Sequence, residues 1–92
     1  MNGRPAGGIV PVAMSDWHED GAALVREEQH EDFAAALARL NRIAVLAERE
    51  NHHPDLCLHG WSRLTITLTT HDAGGLTDKD RRMAALIDEL DR

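Results

Sequence analysis

The hydropathy patterns predict an α+β two-layer sandwich, ββαββα, with an antiparallel sheet and two helices packed on one of its faces. Three observations carry this. "RLTITLTTH" alternates apolar and polar residues, as a half-buried strand does. "DFAAALARLNRIAVLAERE" repeats apolar residues at three- and four-residue steps, as an amphipathic helix does. Asp20-Gly21 supplies the backbone freedom of a tight hairpin turn between two further strands.

Taken in order, the Gly- and Pro-rich residues 1–13 read as a flexible leader, and 14–92 as a single domain. "GIVPVAM" could add an edge strand, which Pro11 weakens. The first hairpin pairs a short strand over 16–19 with one over 22–29. The second of these is polar at its far end, which suits an edge or half-exposed position. Asp32 is placed to cap the long helix. Phe33, Leu37, Leu40, Ala44 and Ala47, with Ile43 beside them, would form its buried face. The helix should end near Asn51, because Pro54 biases His53 toward extended backbone. "DLCLHGW" reads as the next strand, with a turn near Gly60 or Ser62. In the last strand Leu64, Ile66 and Leu68 share one face, and Thr65, Thr67, Thr69 and His71 the other. Thr77 and Asp80 form a T-x-x-D variant of the capping box. The closing helix presents Met83, Leu86, Ile87 and Leu90 on one face.

Composition narrows the function classes. The chain has 92 residues, enough for one domain with a modest core, so association into oligomers is a fair default. Its net charge of −6 lacks the clustered positive charge that phosphate backbones need, which argues against nucleic acid. No apolar run approaches the ~20 residues of a membrane span, and no signal-peptide core stands out, so a cytoplasmic home is expected. Cys57 is the lone cysteine and cannot close an internal disulfide.

The chemistry concentrates in "ERENHHPD" and "TLTTHDAGGLTDKD". His52 sits at the C-terminal end of the long helix, and His53 starts the extended segment after it. Glu48 lies four residues before His52, on the same helix face. His71 ends the polar face of the last strand, and Asp80 opens the last helix. Imidazoles on opposite sides of one pocket could each move a proton in a single turnover, one protonating a leaving hydroxyl and one acting as base. Three imidazoles could instead hold zinc with an open fourth position, although no HExxH run or cysteine pair accompanies them.

These residues resemble the pterin-4a-carbinolamine dehydratase family. Glu48, His52-His53-Pro54, Trp61, His71 and Asp80 follow its pattern, and "WHEDGAALVRE" and "DFAAALARLNRIAVLAE" are also similar to it. The resemblance runs from about Asp16 to the C-terminus. It implies dehydration of 4a-hydroxytetrahydropterin to quinonoid dihydropterin, a pterin-recycling step, with no metal and no cofactor. His52 and His71 would be the acid–base residues, and His53 would bind and orient the substrate. Thr69 and Thr70 would contact the pterin, Glu48 and Asp80 would be supporting acids, and Trp17 would line the pocket. Homodimers or homotetramers are implied. An alternative within the same resemblance is a non-catalytic binding protein with a protein partner, such as a Rubisco assembly chaperone associated with carboxysomes or a dimerisation cofactor. Family members usually carry a helix before the Trp, where this chain is Gly- and Pro-rich, and aromatic residues where Glu28 and His30 stand.

Overall fold

In a computed structural model, residues 11–91 are described. Five strands, β1 (Ala13–Met14), β2 (His18–Asp20), β3 (Ala23–Gln29), β4 (Asp55–His59) and β5 (Arg63–Leu68), build one antiparallel sheet. Two helices, α1 (Phe33–Glu50) and α2 (Asp78–Glu89), pack against it, and a short 3-10 turn, His71–Ala73, links β5 to α2. The α+β order expected from the sequence is the order observed, with β1 as an added strand.

The sheet order is β1-β3-β5-β4, and β2 also pairs with β3. β1 and β2 share one side of β3 end to end, opposite Gln29–Glu28 and Val25–Ala23 respectively. The paired backbone begins ahead of residue 14: Val12 N–H donates to Gln29 O at 2.8 Å and Pro11 is buried. The short apolar run thus supplies the edge strand that "GIVPVAM" could add, and Pro11 stands just ahead of its paired residues. Residues 1–10 lie outside the described residues.

The core is one cluster. Leu64, Ile66 and Leu68 of β5 meet Ile43, Leu46 and Ala47 of α1 and Met83, Ala84 and Ile87 of α2, all buried, with Leu86 and Leu90 packed at its margin. Both helix starts follow the sequence signals. Asp32 accepts from Ala35 N–H at 2.8 Å, and Thr77 and Asp80 make both reciprocal bonds of a capping box. At Gly21 φ is +62°, which the two-residue hairpin loop requires.

Two expectations are corrected. The buried face of α1 is Ala36, Arg39, Ile43, Leu46 and Ala47, whereas Phe33 and Leu37 are 51% and 40% exposed. In "FAAALARL" nearly every position is apolar, so periodicity leaves the buried face open, and packing on the sheet selects the neighbouring stripe. β3 is not an edge strand: it runs between β1/β2 and β5. Its alternation turns Leu24, Arg26 and Glu28 inward, with His30 following them, all buried. The polarity is tolerated because buried Arg39 grips Glu28 with two bonds, Nε to Oε1 at 3.0 Å and Nη2 to Oε2 at 2.8 Å. His30 Nε2 lies 3.0 Å from the same Oε1.

Candidate active site

The end of α1 positions His52. Asn51 takes left-handed backbone (φ 53°, ψ 39°), which Asn tolerates better than most residues. Asn51 N–H donates to Glu48 O at 3.4 Å and His52 N–H to Ala47 O at 3.2 Å. These are the two bonds of a Schellman turn. Pro54 thus lies beyond a stop that Asn51 itself makes, and the turn folds His52 back beside the start of α2.

There His52 Nε2 lies 2.7 Å from Asp80 Oδ1. The Asp80 side chain is fully buried, and that of His52 is 15% exposed. The other carboxylate oxygen, Oδ2, accepts the Thr70 hydroxyl at 2.7 Å and Thr77 N–H at 3.0 Å. Thr70 Oγ and Thr77 Oγ are 2.8 Å apart. Burial pushes the Asp80 carboxyl up, but the bonds from His52, Thr70 and Thr77, with the charge of His52, outweigh it and leave the group below its ordinary value. Asp80 is therefore a carboxylate at neutral pH, able only to accept. A pocket of about 210 Å³ borders His52 and is also lined by Lys79, Arg82 and Leu86.

Of the other expected site residues, Glu48, His53 and His71 are exposed, and Thr69 and Trp17 bond to other parts of the chain. His53 Nε2 pairs with Glu48 Oε2 at 2.5 Å, both largely exposed, so Glu48 serves His53 rather than His52. The helix turn rotates the two neighbouring histidines toward different partners. His71 is exposed and directly follows Thr70. Thr70 and His71 form the exit from β5, which an isolated bridge between Thr70 and Gly75 closes into a loop. Thr69 Oγ donates to Ala22 O at 2.8 Å, tying the end of β5 to the first hairpin. Trp17 stands with other partners: its indole N–H donates to Asp88 Oδ1 at 3.1 Å, and the Arg26 guanidinium lies 4.5 Å from its ring centroid. Trp17 lines a second pocket, with Glu19, Leu24, Arg81 and Asp88. Among the described residues, no three histidine, cysteine or carboxylate side chains group as metal ligands.

Sequence reasoning read Thr77 only as a helix cap. Its hydroxyl also touches Thr70, so cap and site share one hydrogen-bond network. The signal was present in the spacing, since the capping box contains Asp80 itself.

A family profile described as "Pterin 4 alpha carbinolamine dehydratase" matches residues 10–90. The chain belongs to this family. A relative from Nocardia farcinica, named "Putative pterin-4-alpha-carbinolamine dehydratase", is 47% identical over 79 residues, covering 86% of this chain and 82% of its own. A relative of the same name from Metallosphaera sedula is 38% identical, covering 86% and 81%. Two solved structures share the fold at 28% identity. One is a transcriptional coactivator/pterin dehydratase from Brucella melitensis (TM-score 0.71; 89% of this chain, 85% of that one). The other is described as a pterin dehydratase-like protein and a RuBisCO assembly factor in the alpha-carboxysome (TM-score 0.68; 84% and 90%). Among the described residues no helix is long and apolar enough to cross a membrane.

Proposed function

We propose that the protein dehydrates 4a-hydroxytetrahydropterin to quinonoid dihydropterin by histidine acid–base catalysis. The observation that carries this reading is the His52–Asp80–Thr70 chain, which holds one imidazole against a carboxylate and ends on the residue next to His71. A carbinolamine bears its hydroxyl and its amine nitrogen on one carbon. Dehydration breaks the C–O bond and removes the proton on nitrogen, so one group must donate a proton to the departing hydroxyl and another must take one. His52 and His71 fill these roles. Asp80 stabilises His52 when it carries the extra proton. His53, oriented by Glu48, binds and turns the substrate, and Thr69, Thr70 and Trp17 complete the surroundings. The reaction asks for no redox change, and the proposal includes no metal or cofactor.

Assembly into dimers or tetramers fits the apolar side chains that α1 leaves exposed, Phe33, Leu37 and Val45. A cytoplasmic location belongs to the same reading. His52→Ala and His71→Ala should each lower the dehydration rate at least ~100-fold. Two variants as fast as the unsubstituted protein would remove both histidines from the chemistry.

The structural likeness to a carboxysome assembly factor supports a second reading, a binding protein for a large partner. The names of the more similar relatives favour the enzyme. A direct dehydratase assay separates the two: no turnover by the unsubstituted protein, together with stable association with Rubisco, would favour the second.

A further inference from the structure

The hydroxyl groups around Asp80 have a direction. Thr77 Oγ accepts from Lys79 N–H at 3.3 Å and lies 2.8 Å from Thr70 Oγ, to which it gives its own proton when the Thr70 proton goes to Asp80. Thr70 has one proton to give, and Asp80 Oδ2 takes it. Asp80 Oδ2 also receives Thr77 N–H, a donor that cannot be reversed to accept a proton from the carboxyl. The carboxylate therefore has only acceptor capacity to offer His52, and Nε2 of His52 must carry a hydrogen. Among the described residues no group hydrogen-bonds to Nδ1 of His52, and Nδ1 is not one of the buried unpartnered atoms, so it is open to solvent or ligand.

We infer that Thr77 and Thr70 are positioning residues that act through Asp80 to hold His52 as the Nε2–H tautomer, so that His52 exchanges protons with substrate through Nδ1. This assigns Thr70 Oγ to the carboxylate rather than to the pterin. It rests on His52 being an acid–base residue, as proposed above. Neutral His52 then accepts a proton at Nδ1 and, once charged, returns it from the same atom, while Nε2–H stays on Asp80 throughout.

The test is a long-range proton–nitrogen NMR spectrum of the uniformly labelled protein, recorded where His52 is neutral and assigned by loss of its signals in His52→Ala. The Nε2–H pattern is expected, and the Nδ1–H pattern overturns the inference. Thr70→Val should move the Asp80 carboxyl titration upward by about one pH unit, the worth of one bond to a charged acceptor. Thr70→Ser should restore it. The acidic limb of the activity profile should move with it, and kcat should fall roughly tenfold with KM little changed. Thr77→Val, paired with Thr77→Ser, should act in the same direction. An unmoved Asp80 titration in folded Thr70→Val overturns the positioning role. The tautomer measurement needs no variant that might fail to fold. An Nε2–H tautomer in an inactive protein would sink the dehydratase reading and leave the hydrogen-bond chain standing. An Nδ1–H tautomer in an active one would do the reverse.

Discussion

At the scale of single residues, Asp80 links catalysis to stability. Its carboxyl is held below the ordinary value of 3.8 because bonds from His52, Thr70 and Thr77 outweigh burial. A lowered carboxyl contributes stability that is fully present above 3.8 and is lost as pH falls through the folded-state value. Asp80→Asn should therefore be less stable than the parent near neutrality, with the difference shrinking as pH falls below 3.8. Urea unfolding of both proteins across that range tests this, and a difference independent of pH would show that Asp80 stabilises only as a neutral cap. Asp91 runs the other way. Burial raises it more than Arg39 lowers it, so charging it costs the fold as pH rises. The subtraction against Asp80→Asn cancels that contribution. The candidate histidines were legible as residues with chemistry, but their partners were not. His52 meets a carboxylate 28 positions away, and Glu48, four residues before His52, instead meets His53 beyond the turn at Asn51.

At the scale of elements, caps and turns were the most readable parts, because their signals are local. Asp32, Asp20-Gly21 and the Thr77–Asp80 box act within a few residues of themselves, and each does what its residue type dictates. The face of α1 was not readable, because six apolar residues in "FAAALA" supply no contrast and the discriminating residue, Arg39, is charged yet fully buried. The β4–β5 turn holds a different surprise. Gly60 and Trp61 both have φ of 52°, and Trp61 is 65% exposed. A side chain larger than hydrogen costs about 1–2 kcal/mol in that left-handed region. Little burial is lost by replacing an exposed indole, and Asn relieves part of the strain. Trp61→Asn should raise Tm by ~4–8 °C, equivalent to about 1 kcal/mol in a domain of this size. Calorimetry decides it: a fall in Tm would mean that the indole packs on the hairpin more than its exposure suggests.

At the scale of the whole molecule, a buried ionic network joins layers that the apolar cluster alone would hold loosely. Glu28 of β3 binds Arg39 of α1, and Arg39 Nη1 reaches Asp91, just past α2, at 2.6 Å. Arg26 of β3 binds Asp88 of α2, and Arg42 of α1 donates to Leu90 O at 3.2 Å. One sheet strand and both helices thus meet through charge on the side where the polar strand seemed misplaced. The Glu28–Arg39 pair is fully buried, so it is costly to desolvate, and its worth lies in being complete. Removing one partner weakens the hold on the other, so Arg39→Met should cost about 3–5 kcal/mol, with Glu28 left only the looser contact of Arg26 Nη1 at 3.7 Å and His30. Replacing both, Glu28→Leu with Arg39→Met, removes the pair and its desolvation together. The double variant should be more stable than Arg39→Met alone, although His30 and Asp91 lose partners in it. Denaturant unfolding of the two single variants and the double gives the coupling directly. Strictly additive losses would mean that Glu28 and Arg39 stabilise the fold independently. A strong coupling would make the network a latch that is sound only when whole. It would also account for Glu28 and His30 standing on the buried side of β3, since these polar groups are tolerable there only with partners such as Arg39 on α1.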